Sequence, residues 1–232
     1  MPVRKSPEFV GEGIRLIIDG VEPDLQKDML ETRMLPLLHR HRIHMALLIE
    51  ALFSVICGDN PRVVAYKLEV LYKESMTTAE AMDLAPELIA SAQIEQLRKI
   101  LQRGPWRELS HDDMRDFFVR TAIIGRREGF SGLAGLADAA QDRLLSLALR
   151  LLGGVCHRET EGQPPSGGMT PDTWLERVEK EMAHVIEDIY HRYQMMVVGL
   201  SALHRSVTAV DLEAAIRGVE RKPIDAIRGG RL

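Results

Sequence analysis

Apolar residues recur at helical spacing along most of the chain, and no segment alternates with period two for long enough to make a strand. Ile14, Leu16, Ile17 and Ile18 close a first helix that stops at Asp19-Gly20. Pro23 opens a second, since proline has no amide hydrogen to waste at the first helical position, and Glu22, Asp24 and Asp28 suit the positive end of the helix dipole. Its inward residues are Leu25, Met29, Leu30, Met34, Leu37 and Leu38, then Ile43, Leu47, Leu48, Ala51, Leu52 and Val55. Pro36 lies inside this pattern and predicts a kink or a short break. Asn60 and Pro61 cap and open a third helix, with Val63, Val64, Leu68 and Leu71 turned inward.

Three later starts carry a hydroxyl cap with an acid three residues on: Thr77 with Glu80, Ser110 with Asp113, and Thr208 with Asp211. They predict helices near 78–103, 111–128 and 209–219, with Pro86 bending the first and Gly104-Pro105 ending it. Gly125 and Gly129 bracket RREG, either a functional loop or a helix C-terminus where arginines suit the dipole and glycine the cap, and Ala139 to Leu152 reads as a helix. Proline, glycine and polar residues make 157–169 a flexible loop. Thr170-Pro171 restarts a helix reaching about Ser206, roughly 50 Å at 1.5 Å per residue. The fold class is all-α, a helical bundle with long amphipathic helices.

Composition narrows the class. The chain has 232 residues, 45% hydrophobic and 28% charged, with net charge −4. That supports one large or two small domains with a real core, and argues against nucleic acid or an anionic membrane as the main partner. The longest apolar run, Met45 to Cys57, carries Glu50 and falls short of the roughly 20 residues a membrane span needs. No N-terminal stretch resembles a signal peptide. Cys57 and Cys156 stand in unlike contexts and are expected as buried thiols, which fits a cytoplasmic location.

Residues 37–64 align without a gap on 189–216. His39-Arg40 falls on His191-Arg192, Leu48 on Leu200, Ser54-Val55 on Ser206-Val207 and Asp59 on Asp211. This pattern suggests an internal duplication with two related halves, 1–105 and 106–232, the second carrying the loop near 157–169.

Three segments carry a family resemblance. IIDGVEPDLQKDMLETRM (17–34) resembles the cytoplasmic loop of the MotA/PomA flagellar stator family, with its DG-x-x-P-x-x-x-x-x-x-L-E-T pattern. LIEALFSVICGDNPRVVAYKLEVL (48–71) resembles that family's cytoplasmic tail, and RTAIIGRREGFSGLAGLAD (120–138) the stretch opening its loop. In the family two membrane helices separate loop from tail; here loop runs into tail through residues 40–50. The resemblance therefore implies a binding or regulatory role without ion conduction. It implies a protein partner among flagellar rotor or stator components, and partner-binding residues Arg126, Arg127 and Glu128. Arg126 takes the family's cationic position, whereas Ala134 stands where a glutamate is usual.

Other chemistry is sparse. Glu181 with His184, and Asp188 with His191, repeat the carboxylate-to-histidine spacing of di-metal bundles, which makes a metal protein or enzyme on the 171–206 helix the alternative reading. Both motifs share one helix, whereas such sites draw ligands from two. His39, His41 and His44, interleaved with Arg40 and Arg42, cannot all point one way on a helix. The glycines of GFSGLAG follow no strand and precede no lysine-threonine pair, so they make no phosphate cradle. Trp106 and Trp174 read as core anchors. The expectation is a non-enzymatic protein needing no metal or cofactor; a helical interaction module unrelated to stators is the third reading.

Overall fold

A computed structural model describes residues 6–72, 92–106, 109–155 and 168–221. Helices among them are α1 (Ser6–Ile18), α2 (Pro23–Ile56), α3 (Pro61–Tyr72), α4 (Ile94–Gln102), α5 (His111–Glu128), α6 (Ser131–Ala134), α7 (Arg143–Leu152), α8 (Pro171–His204) and α9 (Ala209–Arg217). The described residues hold no strand, only a bridge between Val155 and Met169, so the all-α class stands. None of these helices is long and apolar enough to cross a membrane.

Local chemistry sets the helix ends. Ser110 and Thr208 accept the amide hydrogens of Asp113 and Asp211 at 3.1 and 3.2 Å, the capping predicted for both starts. Pro23 and Pro61 open α2 and α3, and Asn60 Oδ1 accepts from the Arg62 amide at 3.0 Å. The Thr77–Glu80 start, the bend at Pro86, the loop at 157–169 and Cys156 lie outside the described residues.

Two expectations about helix continuity need correction. α2 runs unbroken through Pro36, because Met34 and Leu38 on either side are buried and their packing offsets the lost backbone bond. α7 begins at Arg143 rather than near Ala139, since Asp142 takes an extended conformation and accepts the Trp106 amide hydrogen.

The chain divides by its contacts into two units, Met1–Arg42 with Ala183–Leu232, and Ile43–Met182. The boundary expected at 105–106 lies inside the second unit, and the observed divisions fall within α2 and α8.

The first unit packs α1 and the N-terminal part of α2 on the C-terminal part of α8. Phe9 meets Tyr193 edge-on at 4.9 Å, and Leu30, Met34, Leu38, Ile186, Val197 and Leu200 are buried around them. Gly13 allows α1 to approach α8, for a Cβ there would lie 2.5 Å from Leu200. Gln26, fully buried, donates to the Gly13 carbonyl at 3.0 Å. Its amide oxygen then faces His204 Nδ1 at 3.0 Å, so that nitrogen carries the proton.

In the second unit α3 packs most extensively on α5, through Ala65, Val119 and Ile123. Both tryptophans anchor its core as expected. Trp106 stacks edge-on against Phe118 at 4.8 Å and donates its indole hydrogen to the His44 carbonyl at 3.2 Å. Trp174 is fully buried and donates to the Ala148 carbonyl at 3.1 Å. Glu69 of α3, buried, and Arg115 of α5, half-buried, form an ion pair at 3.2 Å between the two helices.

The aligned segments 37–64 and 189–216 hold their paired residues in unlike places, so the duplication is not confirmed. Ser54 is buried within α2, whereas Ser206 is exposed in a turn at φ 53°. Asp59 ties a turn together, whereas Asp211 lies in the first turn of α9.

Candidate functional site

Polar residues of the second unit, Glu50, Ser54, Asp59, Lys67 and Arg126, converge on the turn between α2 and α3. The chain reverses at Gly58, whose φ of +76° suits only a residue without Cβ. Asp59 organises the reversal. Its carboxylate accepts from the buried Ser54 hydroxyl five residues back and from Lys67 Nζ at 3.0 Å one helix ahead. Lys67 also reaches Glu50 at 3.1 Å, so one ammonium links the end of α2, the turn and α3.

Burial alone would raise the Asp59 pKa, but the hydrogen bonds from Ser54 and Lys67 and the lysine charge outweigh it and hold the carboxyl below its ordinary range. Burial would lower Lys67, and its bonds to Asp59 and Glu50 reverse that and raise it. Cys57, next to Gly58, is exposed and free, contrary to the expectation of a buried thiol. Partial desolvation of its sulfur, then the Asp59 charge, push the thiol pKa up and keep it protonated at neutral pH.

Arg126, Arg127 and Glu128 form the last turn of α5, the helix C-terminus rather than the loop of the two readings the sequence allowed, and the helix ends at Gly129 with φ +79°. Arginines there suit the negative end of the helix dipole. Arg126 donates to the Gly58 carbonyl at 2.8 Å and so braces the Asp59 turn. Arg127 donates to the Ala92 carbonyl at 2.8 Å and to Glu128 at 2.9 Å. All three side chains stay exposed while making these bonds. Gly125 sits where a Cβ would lie 2.6 Å from the buried Phe130 ring, which seats the following turn.

Ala134 ends α6, and a Cβ on Gly153 would lie 2.7 Å from its methyl.

The histidine motifs of α8 are occupied otherwise. Glu181 pairs with Arg143, and Asp188 pairs with Arg221 at 3.1 Å. His184 is exposed, and the Nδ1 of His191 is buried. Among the described residues no three His, Cys, Asp or Glu side chains come together as metal ligands.

The Asp59 brace was not foreseen from the sequence, although the spacing of Ser54, Asp59 and Lys67 around a glycine turn was visible in it. A second unforeseen feature lies in the first unit, where residues 17–34 expose apolar side chains among their charged ones. Leu25 and Met29, expected inward, are 55% and 42% exposed, and Ile18 is 77% exposed beside them in sequence. No protein-family model matches the chain, and comparison with curated proteins and with solved structures gives no significant match.

Proposed function

We propose that this chain is a helical protein-interaction protein of the stator cytoplasmic type, acting in the cytoplasm by docking rather than by catalysis or ion conduction. One observation carries the reading. The segment resembling the stator loop exposes Ile18, Leu25 and Met29 on the α1–α2 hairpin, with Ile14 exposed just before it, where a solitary folded unit gains nothing from wet apolar side chains.

Exposed acids, Asp19, Glu22, Asp24 and Asp28, and exposed bases, Arg15 and Lys27, lie among them in sequence, and Asp24 pairs with Arg205. An apolar centre with a mixed-charge rim fits a partner that presents an apolar ridge flanked by charges of both signs, with the charges steering encounter and the apolar side chains supplying affinity. The resemblance points to a flagellar rotor or stator component as that partner. The braced Arg126–Glu128 helix end is a second contact, held in a fixed direction by Gly58 and Ala92.

The test is a pull-down of purified full-length chain against rotor and stator components, with Ile18→Asp and Leu25→Asp as variants. Retention by one component that both variants lose supports the proposal. Retention no greater than an unrelated helical control, or retention unchanged in both variants, counts against it.

A further inference from the structure

α7 turns one face toward a groove that it shares with α8. Arg143, Ser146, Leu147 and Arg150 follow at i, i+3, i+4 and i+7, so they lie on a single side of the helix. With Glu181 of α8 they line a cavity of about 280 Å³ that opens to solvent. All five residues belong to the second unit. Ser146 and Leu147 are half-buried between two exposed arginines. Ser146 gives its hydroxyl hydrogen to the Ala137 carbonyl at 2.9 Å, which leaves the arginines as the donors of the cavity. They are held differently. Arg143 pairs with Glu181, whose side chain is only 12% exposed, so its guanidinium is fixed against the wall. Arg150 pairs at 2.9 Å with Asp138, whose side chain is 86% exposed; water screens that pair, and a ligand carboxylate can replace it. A guanidinium carries five N–H donors, and a carboxylate takes at most two of them in a parallel fork.

From this cavity we infer a binding site for a small organic monocarboxylate. The lining charges select the class. Two guanidinium groups against one carboxylate leave a net charge of +1, which a single carboxylate neutralises. A phosphate group, at about −1.5 to −2, overfills that charge beside Glu181 and has nothing to set against Leu147. An amine meets two like charges. Arg143 also stands in the first turn of α7, where the helix dipole favours an anion. Leu147, between the two guanidinium groups in sequence, takes an aliphatic tail. The volume falls below the roughly 300–1,000 Å³ of drug-sized pockets, which suits an acid of about four to six carbons. The cavity is separate from the α1–α2 face and from Arg126–Glu128, and the inference does not rest on the function proposed above.

Titration of the full-length chain with 4-methylpentanoate, followed by nuclear magnetic resonance, tests the site. Saturable shifts of the backbone amides of 143–150 are expected, with a dissociation constant of roughly 0.1–1 mM. The neutral amide 4-methylpentanamide keeps the shape without the charge and binds at least about tenfold more weakly, as does inorganic phosphate. Arg150→Gln weakens the acid about tenfold, and Leu147→Ser about threefold to tenfold. Arg177→Gln, at an exposed position of α8 that does not line the cavity, leaves binding unchanged. Circular dichroism of each variant confirms that the helices remain. The inference is overturned by the absence of a saturable shift up to about 10 mM acid. It is overturned equally by amide or phosphate binding as tightly as the acid, or by wild-type affinity in Arg150→Gln or Leu147→Ser.

Discussion

Replacing Asp59 by alanine tests whether one carboxylate holds the α2–α3 turn. The carboxylate accepts from Ser54, whose side chain is 1% exposed, so the substitution strands a buried hydroxyl as well as an ammonium. A hydrogen bond to a charged acceptor contributes about 1.5–3 kcal/mol when its partner is buried. The Lys67 pair contributes less, because Asp59 and Lys67 are 30% and 35% exposed and water screens them; about 0.5–1 kcal/mol is expected. Together, Asp59→Ala costs about 2–4 kcal/mol at pH 7, and Lys67→Met alone about 0.5–1 kcal/mol. Urea unfolding followed by far-ultraviolet circular dichroism measures both, and the double variant gives the coupling between them.

The pH dependence separates this account from a simple packing loss. The folded Asp59 carboxyl lies below the unperturbed 3.8, so its contribution is present above that value and lost as pH falls through the folded one. The gap between wild type and Asp59→Ala therefore closes as the solution is acidified below about pH 4. Lys67 runs the other way: raised above 10.5, its contribution holds below that value and is lost only as pH rises through the folded one. A cost below about 0.5 kcal/mol at pH 7, or one that is the same at pH 7 and about pH 2.5, refutes the reasoning.

Two further substitutions probe other joints. Gly58→Ala places a side chain at φ +76° in open space, so the cost is backbone strain alone, about 1 kcal/mol, read as a lowered urea midpoint with unchanged slope. Gln26→Leu removes the donor to Gly13 and the acceptor for His204 inside the first unit, and is expected to cost about 1–3 kcal/mol by the same assay; stability equal to wild type would show that the amide is incidental.

Much of the helix layout was legible because helix starts are local chemistry. Ser110 and Thr208 cap where their spacing to an acid says they should, and Pro23 and Pro61 sit where a missing amide hydrogen does no harm. What packing decides was not legible. Pro36 stays helical because its neighbours are buried, and RREG stays helical up to Gly129 because the arginines find carbonyls on other segments. Leu25 and Met29 match the helical period as well as Leu30 does, yet they face water, since periodicity marks a stripe without saying that anything covers it. The brace at Asp59 joins residues from α2, the turn and α3, and its partners become evident only once the chain has folded back. The aligned segments match in letters and differ in setting at Ser54 and Ser206 and at Asp59 and Asp211.

The discontinuous first unit orders events during synthesis. Residues 43–182 form one contiguous stretch and are complete while the chain is still being made, so that unit is free to fold early. Gln26, by contrast, waits for His204, 178 positions later, before its amide has its full set of bonds. Until then Phe9 lacks the Tyr193 ring it packs against, so the α1–α2 hairpin completes its core only after the rest of the chain is made.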